Sequence, residues 1–390
     1  MLQSRVSVDS ATTYVLDDEG QVWYSENGVA ADNNKFTMPM KLEGIPAPIQ
    51  TMRDVYGHFA GCFIDIEGNI WSTGYDTNFP GEKVRIPRML QCLTQIKDVA
   101  ASHFCSAFLN NNGELWLDRE YYIQFSPTCT PFVPPQLSGV QVKSIKASSY
   151  RMVFLDVDGC VWMIQDVDEE KLAFYEHTCK IVDIHAGYRK IVIQDEEGFV
   201  WQRGRNGSFG LGNIAQLPGF HKMHNEPIKM VSVSENHAIM LDYDDQVWTS
   251  SYYEHMQIGE KTHFQKSVRL LNIPGIQMVS AGFSHNLLLD HSGIVWVYGK
   301  NQAGQLGFGD LKERKHCTKI RSLPPIQSVM ASFKYNQCFS MFLDFEGSIW
   351  ACGEFERGLR RVKSEKICFP KIVLFHKQKN VKSAKEVTIS

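Results

Sequence analysis

Apolar and polar positions follow one short figure along this chain, and the figure returns eight times. A mostly apolar position is followed by Asp or Asn, two variable residues, Gly, one further residue, Val/Ile/Leu and then Trp, as in Leu16-Asp17-Asp18-Glu19-Gly20-Gln21-Val22-Trp23. The other copies end at Trp71, Trp116, Trp162, Trp201, Trp248, Trp296 and Trp350, at intervals of 39 to 54 residues, and together they use all 8 tryptophans. A period of that size marks a repeat array. Each copy predicts a β-hairpin. A strand ends at the apolar position, and the Asp carboxylate accepts hydrogen bonds from the next backbone N–H groups. Gly takes the left-handed position that closes a longer hairpin loop. Asp245 stands in the glycine's place once, and Asp is among the few residues that tolerate that conformation. The returning strand carries Val/Ile/Leu and Trp side by side, so the pattern predicts that it is buried on both faces.

Upstream of the hairpins lie further apolar segments: 96–100, 142–145, 181–184, 228–231, 276–279 and 326–329. A short strand is predicted after each Trp, often behind a proline, as at Pro87-Arg88-Met89-Leu90 and Phe369-Pro370-Lys371-Ile372-Val373. About four strands in roughly 47 residues is the size of one propeller blade. No segment reads as a long amphipathic helix, so the predicted fold is all-β. The expected organisation is one β-propeller over residues 1–375 and a flexible, solvated tail over 376–390 with Lys377, Lys379, Lys382 and Lys385. A hydrophobic content of 43% with 12% aromatics suffices for a core between blades. Each Trp carries about 150–250 Å², and burying one contributes on the order of 4–6 kcal/mol before entropy. Eight of them in register read as an inter-blade core rather than as an aromatic ligand cage.

The segment Ser280-Ala281-Gly282-Phe283-Ser284-His285-Asn286-Leu287-Leu288-Leu289-Asp290, followed by 293–310 with Gly304-Gln305-Leu306-Gly307, resembles a complete repeat of the RCC1-type (regulator of chromosome condensation) β-propeller family. A partial match lies at 204–213, and the other units keep the hairpin and Trp but little of the Gly-Gln-Leu-Gly segment. The family's Gly-x-x-His is complete only at Gly282 and His285; Gly57 and Gly187 keep the glycine, and His237 keeps the histidine. The resemblance spans roughly residues 4–375 and implies a ring of about seven blades, with His285 bracing neighbouring repeats. Eight hairpins favour eight blades, with the C-terminal strand near 370–374 completing the first. The alternative is seven blades with one hairpin outside the ring.

Charge and cysteine usage narrow the partners. A net charge of −3 and a pI near 6.5 give no electrostatic case for nucleic acid. The 10 cysteines include no Cys-x-x-Cys pair, and no secretory signal or membrane-length apolar run is seen, which predicts reduced thiols in an intracellular, cytoplasmic or nuclear protein. His221-Lys222-Met223-His224 lacks a third metal ligand at a telling spacing. The glycine-rich stretch 204–212 lacks the Lys-Ser/Thr ending of a phosphate loop. The hairpin Asp residues recur once per repeat, as turn caps do and converging catalytic carboxylates do not. No cofactor, metal or catalytic group is therefore expected.

Function is sought in the loops, because sites are grafted on folds. The unusual ones follow Trp116 (Arg119, Glu120, Tyr121, Tyr122, Phe125) and Trp248 (Tyr252, Tyr253, His255, Met256). Exposed Tyr, Phe and Met are enriched at interface centres. The sequence thus predicts a non-enzymatic scaffold that binds partner proteins through its rim loops. The resemblance adds an alternative, guanine-nucleotide exchange on a small GTPase, which some relatives perform. No loop here matches that role residue by residue.

Overall fold

The computed structural model describes residues 6–8, 12–17, 19–26, 40–53, 62–75, 83–90, 93–102, 105–118, 133, 137–148, 151–165, 172–175, 179–187, 190–204, 220–234, 237–251, 268–270, 273, 275–332, 338–354 and 367–373. They form eight antiparallel sheets and no α-helix. Seven sheets have four strands in sequence order, and the one built from Ile96–Ala101, Ser106–Asn110 and Leu115–Asp118 has three among the described residues. Each contains one of the predicted hairpins. The sheet of Trp296 shows the plan: Ile276–Ala281, His285–Asp290, Val295–Gly299 and Arg314–Lys319 pair in order.

By contact density the chain divides into two compact units, one comprising Gln3–Glu197 with Trp201–Arg203, the other Met1–Leu2, Gly198–Val200 and Gly204–Ser390. Each unit is built the same way, by consecutive sheets that share apolar clusters. In the first, Ile64, Ile70 and Leu90 of one sheet pack with Ile96, Val99 and Phe108 of the next. In the second, Leu287, Val295 and Val297 pack with Ile326, Val329, Phe342 and Trp350. The core therefore lies between sheets, as the sequence predicted.

Two expectations need correction. The second strand is the more uniformly buried one, with Arg151–Asp156, His237–Asp242 and His285–Asp290 buried at every residue, whereas the third is buried on both faces as expected only in the sheets of Trp71 and Trp350. In the third strand Val or Ile is buried, but only Trp71 and Trp350 are buried among the tryptophans. Trp23, Trp116, Trp162, Trp201, Trp248 and Trp296 are half-buried. The second correction concerns the C-terminal strand. Ile367–Val373 pairs with the strand of Trp350, through Ile349↔Val373 and Trp350↔Ile372, and so completes the last sheet. The first sheet has its own four strands, Val6–Val8, Thr12–Leu16, Val22–Glu26 and Met40–Lys41.

Candidate functional site: the hairpin tips

The eight hairpins connect the second and third strands of their sheets and present one repeating edge. The hairpin Asp uses both carboxylate oxygens. In the Trp296 hairpin, Oδ1 of Asp290 accepts the N–H groups of Ser292 and Ile294, each at 2.9 Å, and Oδ2 accepts the indole N–H of Trp296 at 3.0 Å. The indole bond recurs at 2.8 to 2.9 Å in Trp23–Asp17, Trp71–Asp65, Trp162–Asp156, Trp201–Asp195, Trp248–Asp242 and Trp350–Asp344. The Asp thus caps the turn and anchors the Trp, which explains a spacing of six residues between them. Asn110 is the departure: its Oδ1 takes the N–H groups of Asn112 and Glu114, and its Nδ2 donates to Glu114 at 2.6 Å. An amide nitrogen cannot accept the indole proton.

The hairpin glycines have φ between +76° and +89°, and Asp245 takes the same region at +57°. A second constraint comes from the next sheet, whose first strand docks on the glycine. Ile96 N–H donates to the Gly68 carbonyl at 2.9 Å, and a Cβ on Gly68 would stand 2.7 Å from Gln95 Cα. Each first strand also carries a one-residue bulge beside the tip in seven sheets, leaving Gln50, Lys97, Lys143, Val182, Lys229, Gln277 and Gln327 outside the pairing. Bulges re-aim side chains: Gln277 Nε2 donates to Asp290 O of its own hairpin at 2.8 Å, and Lys143 Nζ donates to Val182 O in the first strand of the next sheet at 3.1 Å.

With framework positions so committed, two residues per tip are exposed to solvent wherever both are described. The first is the residue after the Asp. It is a large apolar side chain in four hairpins, namely Ile66 (63% exposed), Val157 (46%), Tyr243 (67%) and Phe345 (66%). Asn111, Glu196 and His291 stand exposed in the same place. The second is acidic in six copies: Glu19, Glu67, Asp158, Glu197, Asp244 and Glu346, all exposed. Beside Val157 an open depression of about 550 Å³ is lined by Val140, Gln141, Asp158, Cys160 and Trp162 among others.

In the C-terminal unit the tips are tied together. Asp245 bonds Lys229 Nζ at 3.1 Å through Oδ1 and His291 Nε2 at 2.8 Å through Oδ2. The His291 hydrogen bond, with Lys229 behind it, outweighs burial and holds the Asp245 carboxyl below the usual carboxylate range. The next tip continues the row, since Ile326 N–H donates to Gly293 O at 2.8 Å.

The opposite end of the second strands carries the histidines. His285 is fully buried and its Nε2 lies 2.9 Å from Ser340 Oγ of the next sheet. His237 makes the equivalent step to Asn286 at 2.7 Å. The brace implied for His285 is therefore present. Gly282 is small for a visible reason: a Cβ there would stand 2.6 Å from the His285 ring. Where Ser234 replaces the glycine, its Oγ bonds His237 Nδ1 at 2.9 Å. Burial lowers the His285 pKa to about 4.

The loop residues singled out by sequence, Arg119, Glu120, Tyr121, Tyr122, Phe125, Tyr252, Tyr253, His255 and Met256, lie outside the described residues, as do the tail lysines and most of 204–212. His221 and Lys222 form a two-residue strand, and His224 is buried against the Trp248 ring at 4.1 Å. Among the described residues no three His, Cys, Asp or Glu side chains group to hold a metal, and no helix is long and apolar enough to cross a membrane. The tip residues were missed by sequence because they sit inside the framework motif, where variable positions look unimportant.

No protein-family model matches the chain, and no curated protein matches it in sequence. Solved structures do. Human WBSCR16 is 13% identical with a TM-score of 0.57, covering 79% of this chain and 91% of that one. Prp20p from Saccharomyces cerevisiae, described with its binding properties to Gsp1p and histones, is 17% identical with a TM-score of 0.57, covering 95% and 88%. Yeast RCC1 (Prp20) bound to Kap60 gives 17% and 0.56, covering 75% and 79%. At such identities the likeness concerns the fold, an RCC1-like β-propeller, to which this chain contributes eight small antiparallel sheets.

Proposed function

For a chain with the fold of the RCC1-like β-propellers, we propose the role of a non-enzymatic scaffold that binds partner proteins through its hairpin tips and rim loops. One observation carries this reading: the same repeat position holds the exposed Ile66, Val157, Tyr243 and Phe345. A large apolar residue left in water at one exposed position has little to do for folding. Burying such a side chain against a partner contributes about 1.5–3 kcal/mol, and aromatic residues are over-represented among interface anchors. The exposed carboxylates next to them supply the polar rim.

The test replaces Ile66, Val157, Tyr243 and Phe345 together by Ser and repeats affinity purification from the native host. Surface substitutions of this kind change stability by about 0.5 kcal/mol or less each, so the protein is expected to melt as wild type while losing its partners. An unchanged partner set removes the reading for the tips. The same purification with Tyr121, Tyr122, Tyr252 and Tyr253 replaced by Ala tests the rim loops.

The alternative, guanine-nucleotide exchange on a small GTPase, draws on the fold likeness to Prp20p. Release of labelled nucleotide from a panel of small GTPases separates the two: acceleration favours exchange, and none leaves the scaffold.

A further inference from the structure

We infer that the tips of the C-terminal unit are a docking surface for this chain's own lysine-bearing segment, residues 374–390. The inference rests on reading the tips as the binding surface and names one occupant for part of it.

Three observations converge. The first is where the chain leaves the described fold. Val373 pairs with Ile349, and Ile349 immediately follows the tip Asp344-Phe345-Glu346-Gly347-Ser348. The described fold therefore ends at Val373, opposite the residue that follows the tip of Phe345 and Glu346. The second is reach. The segment of 17 residues spans at most about 55–60 Å, at roughly 3.3–3.6 Å per residue. Packed sheets lie about 10 Å apart, so the tips of three consecutive blades are within that span. Those tips are held as a row by the Asp245–His291 bond and by Ile326 N–H on Gly293 O.

The third observation is complementarity. Asp245 already serves Lys229 and His291, which neutralises the nearby lysine. Asp244 and Glu346 remain, both exposed and with no ion pair among the described residues, beside Tyr243 and Phe345. The segment offers Lys377, Lys379, Lys382 and Lys385 against the single acidic side chain of Glu386, with Leu374, Phe375, Val381, Val387 and Ile389 as its larger apolar members. Cations meet free carboxylates and apolar residues meet exposed aromatics. Bound this way, the segment would cover Tyr243 and Phe345 and so compete with a partner protein for them.

Zero-length carbodiimide crosslinking of the full chain, read by mass spectrometry on an equal mixture of ordinary and nitrogen-15-labelled protein, tests this. The expected products join the segment's lysines to Asp244 or Glu346 within one molecule, at least about threefold above crosslinks to the exposed Glu313, and the excess falls at 1 M salt, where charges are screened within about 3 Å. The paired changes Asp244→Lys and Glu346→Lys should abolish the excess. Adding Lys377→Glu, Lys379→Glu, Lys382→Glu and Lys385→Glu to those two should restore it, with the crosslinking groups exchanged. Yields equal to the Glu313 reference overturn the inference, as do isotope-mixed products, which would put the occupant on a second copy. No partner protein enters this experiment, so its failure leaves the scaffold reading untouched, and loss of that reading in the purification leaves these crosslinks unexplained by it.

Discussion

Replacing Asp290 by Asn changes one oxygen into an amide nitrogen and nothing else in shape. The two turn-capping bonds, to the N–H groups of Ser292 and Ile294 at 2.9 Å, survive because Oδ1 remains an acceptor. The third bond, from the Trp296 indole at 3.0 Å to Oδ2, is replaced by two donors facing each other. A hydrogen bond to a charged group contributes about 1.5–3 kcal/mol, so Asp290→Asn should destabilise the hairpin by that amount. The readout is local: exchange of the Trp296 indole proton in native protein, followed by NMR. A loss of about 1.4 kcal/mol speeds exchange through local opening about tenfold. The chain contains the converse experiment. Asn110 already lacks the second oxygen, yet Asn110→Asp alone would set a carboxylate against Glu114, whose Oε2 now accepts from Asn110 Nδ2 at 2.6 Å. Only Asn110→Asp with Glu114→Gln should slow exchange at Trp116, and the pair should be clearly non-additive. Unchanged exchange at Trp296 in Asp290→Asn would refute the two-oxygen account of the motif.

Other outcomes follow from the same geometry. Burial keeps His285 neutral, with a folded pKa of about 4 against the ordinary 6.5, so its contribution is complete above pH 6.5 and is lost as pH falls towards 4. That is on the order of 3 kcal/mol, and His285→Gln should flatten urea midpoints across that window while lowering them at pH 7. Gly282→Ala should destabilise by at least about 1 kcal/mol, because the Cβ meets the His285 ring at 2.6 Å. Gly282→Ser should recover part of this through the arrangement of Ser234 with His237, and a serine variant no better than alanine in urea titration would count against it. Burial alone would raise the Asp65 pKa, but hydrogen bonds from Trp71, Asn69 and the Glu67 backbone more than reverse it, leaving it below 3.8. Its stabilisation is thus present above pH 3.8 and lost at lower pH, and Asp65→Asn should remove that share of the acid unfolding slope.

How far the sequence reached depends on which physics each residue obeys. Turn chemistry is local, so Asp17, Gly20 and even the exceptional Asp245 announced their roles: the glycine position needs a positive φ whatever surrounds it. The indole bond was also within reach, since a fixed Asp at six residues before a fixed Trp faces it across the hairpin, but the capping role was sufficient explanation and hid the second oxygen. The partly met expectation for the Trp strand has a different origin. The size of Trp points to burial, yet six of the eight are only half-buried, and the most uniformly buried strands are modest ones such as His237-Ala238-Ile239-Met240-Leu241. Non-local facts were the least visible. The bulge that aims Lys229 at Asp245 depends on the next strand's register, and pairing of Ile367–Val373 with the last sheet depends on which edge is open. Function is the least legible for the same reason, because loops that break the repeat stand out in a sequence while exposed positions inside it do not. The exposed Ile66, Val157, Tyr243 and Phe345 sit inside the repeat, at a position the framework leaves to solvent in these four hairpins, and such a position is where a regular scaffold can change its surface without touching its fold.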